Sequence, residues 1–158
     1  MMTKFTLERF RQFDKPVEIP LDPITVLIGA NNSGKTAVLQ GLALFQYCLE
    51  KCLAREGKNG GNGPWSLKKT ENVRPDEFGP LPVATPTDLW PQGRAKGAIR
   101  LSAEFEGGGT ITFEIKLQYN LFNIRPTVTN IGDLNALLAG LSIRLIPVFS
   151  GLLPREEF

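Results

Sequence analysis

Apolar and polar residues alternate from Lys4 to Arg9, with Phe5 and Leu7 on one side and Lys4, Thr6 and Glu8 on the other. That period of two predicts a half-buried strand. A second extended segment, Pro16 to Ile19, follows Arg11-Gln12-Phe13-Asp14-Lys15, so the two read as a hairpin-like pair with Phe10 as a further inward residue. Pro20, Asp22 and Pro23 then punctuate the chain. The next run, Ile24-Thr25-Val26-Leu27-Ile28, is β-branched, unbroken and bounded by Pro23 and Gly29, which predicts a strand buried on both faces. From Lys35 to about Cys52 the period lengthens: Val38, Leu42, Phe45 and Leu49 share one stripe, there is no proline, and Gly41 is the one glycine. This segment reads as an amphipathic helix.

Between about Ala54 and Lys96 periodicity disappears, and the segment holds half of the chain's prolines together with the tract Gly57 to Gly63. It predicts an irregular, Gly/Pro-rich insertion whose apolar residues, Phe78, Leu81, Val83, Leu89 and a packing Trp90, tack it onto the body. Alternation returns at Ile99, Leu101, Ala103 and Phe105. After Gly107-Gly108-Gly109 it resumes at Ile111, Phe113, Ile115 and Leu117. Two such runs around a glycine turn predict an antiparallel hairpin with one wet face. Asp133 is placed to cap a short helix from Leu134 to Ala139 that Gly140 ends. Ile143 to Phe149 forms a last apolar run, interrupted by Pro147, and no internal repeat is visible.

At 158 residues, 42% hydrophobic and 22% charged, the chain suits one globular domain and is neither disordered nor fibrous. No stretch approaches the roughly eighteen apolar residues of a membrane helix, and the N-terminus lacks a signal-peptide core, so a cytoplasmic protein without membrane contact is expected. A net charge of +2 identifies no partner. Lys51, Arg55, Lys58, Lys68, Lys69 and Arg74 outnumber the acids between positions 51 and 74, which suits a surface facing DNA and equally a solvated loop. Cys48 and Cys52 lie four apart on the predicted helix in a chain without histidine, and read as buried thiols.

Between the buried run and the helix lies Gly29-Ala30-Asn31-Asn32-Ser33-Gly34-Lys35-Thr36, which fits G-x-x-x-x-G-K-[ST] at every position. Strand, glycine loop and helix come in the order that phosphate cradling needs. The first turn of a helix offers unpaired N–H groups and a partial positive charge. Gly29 and Gly34 allow the loop to curl, and Asn31 and Asn32 tolerate left-handed geometry. The amides from Asn31 through Ala37 then surround a triphosphate. Lys35, the expected catalytic lysine, reaches the β- and γ-phosphates, and the Thr36 hydroxyl ligates Mg²⁺. A plain glycine turn between strand and helix is the competing reading.

Phe10-Arg11-Gln12-Phe13, placed ahead of Ile24 to Thr36 with its Gly-x-Asn-x-Ser-Gly-Lys-Thr form, resembles the N-terminal lobe of ABC-class ATPases of the SMC and RecF type. The Asn-Asn-Ser-Gly-Lys-Thr form looks closer still to AAA-family ATPases allied to the OLD-type nucleases, many of them found in DNA repair and anti-phage systems. The resemblance covers residues 3 to 50, and more thinly Phe78 to Trp90 and Ile143 to Glu157. It implies an α/β P-loop fold: a mixed sheet, an antiparallel β subdomain and a helix after the phosphate loop. Arg11 would lie near the nucleotide, ATP and Mg²⁺ would be bound, and two heads would close on ATP, with DNA as a candidate partner. A surface arginine on a turn is the alternative for Arg11.

Other parts of that family's machinery are missing from the sequence: no signature loop, no apolar strand ending in Asp-Glu, and Ser150 where a glutamine would stand. Phosphoryl transfer needs a water-positioning residue and a carboxylate supporting Mg²⁺. Residues 1–158 therefore read as a partial ATPase domain, an ATP-binding N-terminal lobe whose hydrolysis needs a C-terminal lobe. The alternative is a nucleotide-dependent interaction module without turnover. A small phosphotransferase is a third reading, without assignable acceptor residues.

Overall fold

The computed structural model describes residues 1–55, 64–79, 81 and 83–141. Its first hairpin is the expected one: β1 (Met2–Glu8) pairs antiparallel with β2 (Val17–Pro20), Phe5 lying opposite Ile19. Between them Phe10 and Phe13 exchange two backbone hydrogen bonds of 3.0 and 2.9 Å, making a tight turn around Arg11 and Gln12. The helix α1 spans Lys35–Cys52, as its 3.6 period required.

The described residues of the predicted insertion hold more regular structure than its composition implied. It contains β3 (Leu53–Arg55) paired with β4 (Trp65–Leu67), then β5 (Glu71–Val73) and three short 3-10 turns, Pro75–Glu77, Pro86–Leu89 and Pro91–Gly93. β6 (Ile99–Phe105) and β7 (Thr110–Gln118) form the predicted hairpin, Leu101 facing Phe113. A further strand beyond those predicted, β8 (Leu121–Thr129), pairs with β7 along its whole length. α2 (Leu134–Gly140) starts at Asp133, whose Oδ1 accepts from the Ala136 amide at 3.0 Å.

Six strands make one sheet in the order β2-β1-β6-β7-β8-β5, and every ladder is antiparallel. The expected mixed sheet has no parallel pair among the described residues, for a specific reason. Ile24 to Ile28 joins no ladder, and Ile24, Val26 and Ile28 are 85%, 71% and 90% exposed. Only Leu27 of that run's aliphatic residues turns toward the core. The run has the composition of a doubly buried strand but no neighbour among the described residues to bury it. The apolar run Ile143 to Phe149 lies outside the described residues, as do Lys58 and Ser150 to Glu157.

α1 lies on one face of the sheet. Its Leu44, Phe45, Cys48, Leu49 and Cys52 are buried against Phe5, Leu7, Leu101, Phe113 and Ile115, each apolar side chain contributing about 1.5–3 kcal/mol. Phe45 holds this interface together edge-on, with ring centroids 5.9 Å from Phe5 and 5.1 Å from Phe113. Trp90 is the packing residue expected of it: 1% exposed, stacked at 14° on Phe122, with Nε1 donating to the Gly97 carbonyl at 3.1 Å. The sheet's other face is wet, carrying cross-strand pairs such as Lys4–Glu104 at 2.9 Å and Arg100–Glu114 at 2.8 Å. No helix among the described residues is long and apolar enough to cross a membrane.

Candidate functional site: a phosphate loop at the start of the first helix

Residues 29 to 34 bring the chain from the exposed run into α1. Asn32 takes φ of 69° and Gly34 φ of 98°, both in the left-handed region that asparagine and glycine tolerate. Gly34 answers a second demand as well. A Cβ at this position would collide with Phe13 Cζ and sit 2.9 Å from Gln12 Nε2, so the β1–β2 turn closes on the loop only because no side chain is there. At Gly29 the requirement is space and not dihedral angle, since a Cβ would meet Ser33 Oγ at 2.6 Å.

α1 begins without a side-chain cap and without an acid in its first turn. Its opening amides have no side-chain cap as acceptor, and the helix dipole favours an anion there. The Ser33 amide bonds back to the Ala30 carbonyl at 3.2 Å, tightening the loop, and the first helical bond runs from the Val38 amide to the Gly34 carbonyl at 3.0 Å. Lys35 folds over the loop. Its Nζ donates to the carbonyls of Gly29 and Ala30, both at 2.6 Å, and to Ser33 Oγ at 3.3 Å. Those contacts use all three ammonium donors, so reaching a phosphate requires Lys35 to release at least one of them.

Asn31, Asn32, Ser33, Gly34, Lys35, Thr36 and Ala37 line one cavity of about 170 Å³, with Gln12 as its remaining wall. Thr36 is exposed and lines this cavity with its hydroxyl side chain. The predicted loop residues converge; the arginine predicted beside them does not. Arg11, with φ of 54°, directs its Nη1 to the Asp88 carbonyl at 3.1 Å, while its backbone amide donates to the Leu89 carbonyl at 2.7 Å. The neighbouring Gln12 meets the loop instead, Nε2 donating to the Asn32 carbonyl at 3.0 Å. A tight turn sends consecutive side chains in different directions, and sequence spacing does not reveal which of the two faces the loop. Tandem polar residues on a turn next to a glycine motif were the available signal.

A second cavity, about 500 Å³, lies beside the first and shares Lys35 and Thr36 with it. Ile19, Leu21, Val26, Leu27, Leu39 and Leu42 make it apolar. In the basic stretch of positions 51 to 74, Lys68 pairs with Glu71 at 2.9 Å and Arg74 with Asp76 at 3.1 Å, while the Lys51 ammonium lies 5.5 Å from the Tyr47 ring centre.

Residues 1–77 match a protein family described as the AAA ATPase domain. The matched segment includes the β1–β2 hairpin, the whole phosphate loop and α1. No curated protein matches the chain. The family match supports an AAA-type ATPase N-terminal region, with nucleotide binding as its coarse function and ATP with its usual Mg²⁺ as the ligand.

Proposed function

We propose that this chain is the ATP-binding lobe of an SMC/RecF-like ATPase, of the kind that serves DNA repair or anti-phage defence, and that a C-terminal lobe completes it for hydrolysis. One observation carries the reading: an uncapped helix start behind a left-handed Gly34 packed on Phe13, with a lysine ammonium spanning the loop. Here the amides of residues 31 to 37 bind the phosphate oxygens. Lys35 trades its carbonyl partners for the β- and γ-phosphates, and Thr36 supplies one oxygen to Mg²⁺. The cation, when bound, neutralises charge on the phosphoryl oxygens. Gln12 holds the loop from the hairpin side through the Asn32 carbonyl.

The need for a second lobe is supported by the exposed run. Three exposed aliphatic side chains, in a run whose Val26 and Leu27 line an apolar cavity shared with Lys35 and Thr36, suit a strand laid alongside Ile24 to Ile28. A partner docked there comes close to the phosphate loop, where a water-positioning residue and an Mg²⁺-supporting carboxylate are needed. The same stripe also favours a second reading, a module whose partner reads the nucleotide-bound state without turnover.

Titration with a non-hydrolysable ATP analogue tests the binding step. The parent chain binds with Mg²⁺ present, and Lys35→Ala loses at least a hundredfold in affinity, because a charge-assisted phosphate contact is removed. Equal affinity in the variant defeats the proposal. ADP release by the 158-residue chain, measured with and without an added C-terminal lobe, separates the two readings: stimulated turnover selects the ATPase, and none selects the module.

A further inference from the structure

The phosphate cavity, at about 170 Å³, is smaller than the roughly 300–1,000 Å³ that encloses a whole small ligand. Gln12 also lines a second cavity. It measures about 470 Å³ and is bounded by Gln12, Asp14, Pro91, Gln92, Arg94 and Lys96. The larger cavity falls within that size range, and Gln12 is the residue common to both linings.

The outer wall of this larger cavity is a strap from the insertion, residues 90 to 97, and it is held at both ends. Trp90 is buried and donates from Nε1 to the Gly97 carbonyl, closing the strap at its base. Within it, the Gly93 amide donates to the Trp90 carbonyl at 3.1 Å, Arg94 to Pro91 at 3.2 Å and Lys96 to Arg94 at 2.7 Å. Arg11 ties the residues just ahead of it to the β1–β2 turn through the Asp88 and Leu89 carbonyls. At its crest Gln92 sits at φ of 56°, a conformation that costs a non-glycine residue about 1–3 kcal/mol and that clusters at ligand clamps.

We infer that this strap and Asp14 form the nucleoside half of the site, so that base and ribose lie between Gln12 and Gln92 while the phosphates enter the loop. The inference rests on the phosphate-loop reading above and adds to it the part of the ligand that the loop leaves unrecognised. The chemistry of the wall suits a nucleoside. Carboxamides at Gln12 and Gln92 each carry a donor and an acceptor for a base edge, the Asp14 carboxylate accepts from ribose hydroxyls, and the Pro91 ring offers a flat apolar surface. Arg94 and Lys96 line the same cavity and give it positive charge. Arg11 becomes a positioning residue in this arrangement, holding the strap and touching no phosphate.

Calorimetric titration of the full chain with two Mg²⁺-bound probes, an ATP analogue and inorganic tripolyphosphate, tests it. The double variant Asp14→Ala/Gln92→Ala alters exposed side chains and is expected to bind the ATP analogue about tenfold more weakly, with tripolyphosphate affinity kept or slightly raised by the lost negative charge. Lys35→Ala weakens both probes. If the double variant loses neither probe, or loses both equally, while Lys35→Ala still weakens both, the nucleoside assignment is wrong and the phosphate loop stands. If Lys35→Ala weakens neither, the loop reading fails and the nucleoside assignment falls with it.

Discussion

Gly34 carries two constraints that no other residue type meets together: a backbone in the left-handed region and a hairpin side chain in van der Waals contact where a Cβ would be. Gly34→Ala is therefore expected to destabilise the fold by about 1–3 kcal/mol and to push Gln12 and Phe13 off the loop. Chemical denaturation checks the first effect, and loss of ATP-analogue binding in the still-folded variant checks the second. The phosphate-loop residues were legible because each fixed position in the motif answers a backbone or charge requirement. Gln12 was not, because its role comes from a turn geometry in which Arg11 points to the Asp88 carbonyl. Neither spacing nor residue type distinguishes those two directions.

Among the elements, α1 and the β6–β7 hairpin followed from period alone, since each buries one face against the other. The run Ile24 to Ile28 shows what such a pattern leaves out: apolar composition states a demand for burial without naming the strand that meets it. β8 escaped for the opposite reason. Pro126 argues against a central strand, yet β5 pairs only with Phe122, Asn123 and Ile124, so the missing N–H at Pro126 falls beyond that ladder. Its turn is equally indirect, since Tyr119 and Asn120 take φ of 49° and 60° between the paired Gln118 and Leu121, and tyrosine is no usual turn residue.

The α1–sheet interface also makes a pH prediction. Burial raises the Cys48 thiol well above its ordinary value and pushes Cys52 up to about 11. Unfolded thiols ionise near 8.5, so between that pH and about 11 the unfolded chain holds fewer protons than the folded one, and stability falls as pH rises. Thermal melts from pH 8 to pH 11 are expected to show a declining Tm. In Cys52→Ala the decline is shallower, and an equal slope in both proteins contradicts burial as the cause.

For the molecule as a whole, the sheet and α1 act as a frame whose rim carries the chemistry. The β1–β2 turn, the phosphate loop and the strap from the insertion meet there through Gln12 and Arg11. The insertion reads as irregular in the sequence because proline and glycine erase periodicity. In residues 88 to 97 the Trp90 anchor and the hydrogen bonds to the hairpin make a held wall. The central claim is that the amides at the mouth of α1 hold a triphosphate, and amide hydrogen exchange tests it most directly. With Mg²⁺ and an ATP analogue, exchange at residues 31 to 37 is expected to slow at least tenfold while the wet face of the sheet is unchanged. Unaltered exchange across those residues at saturating nucleotide contradicts the account.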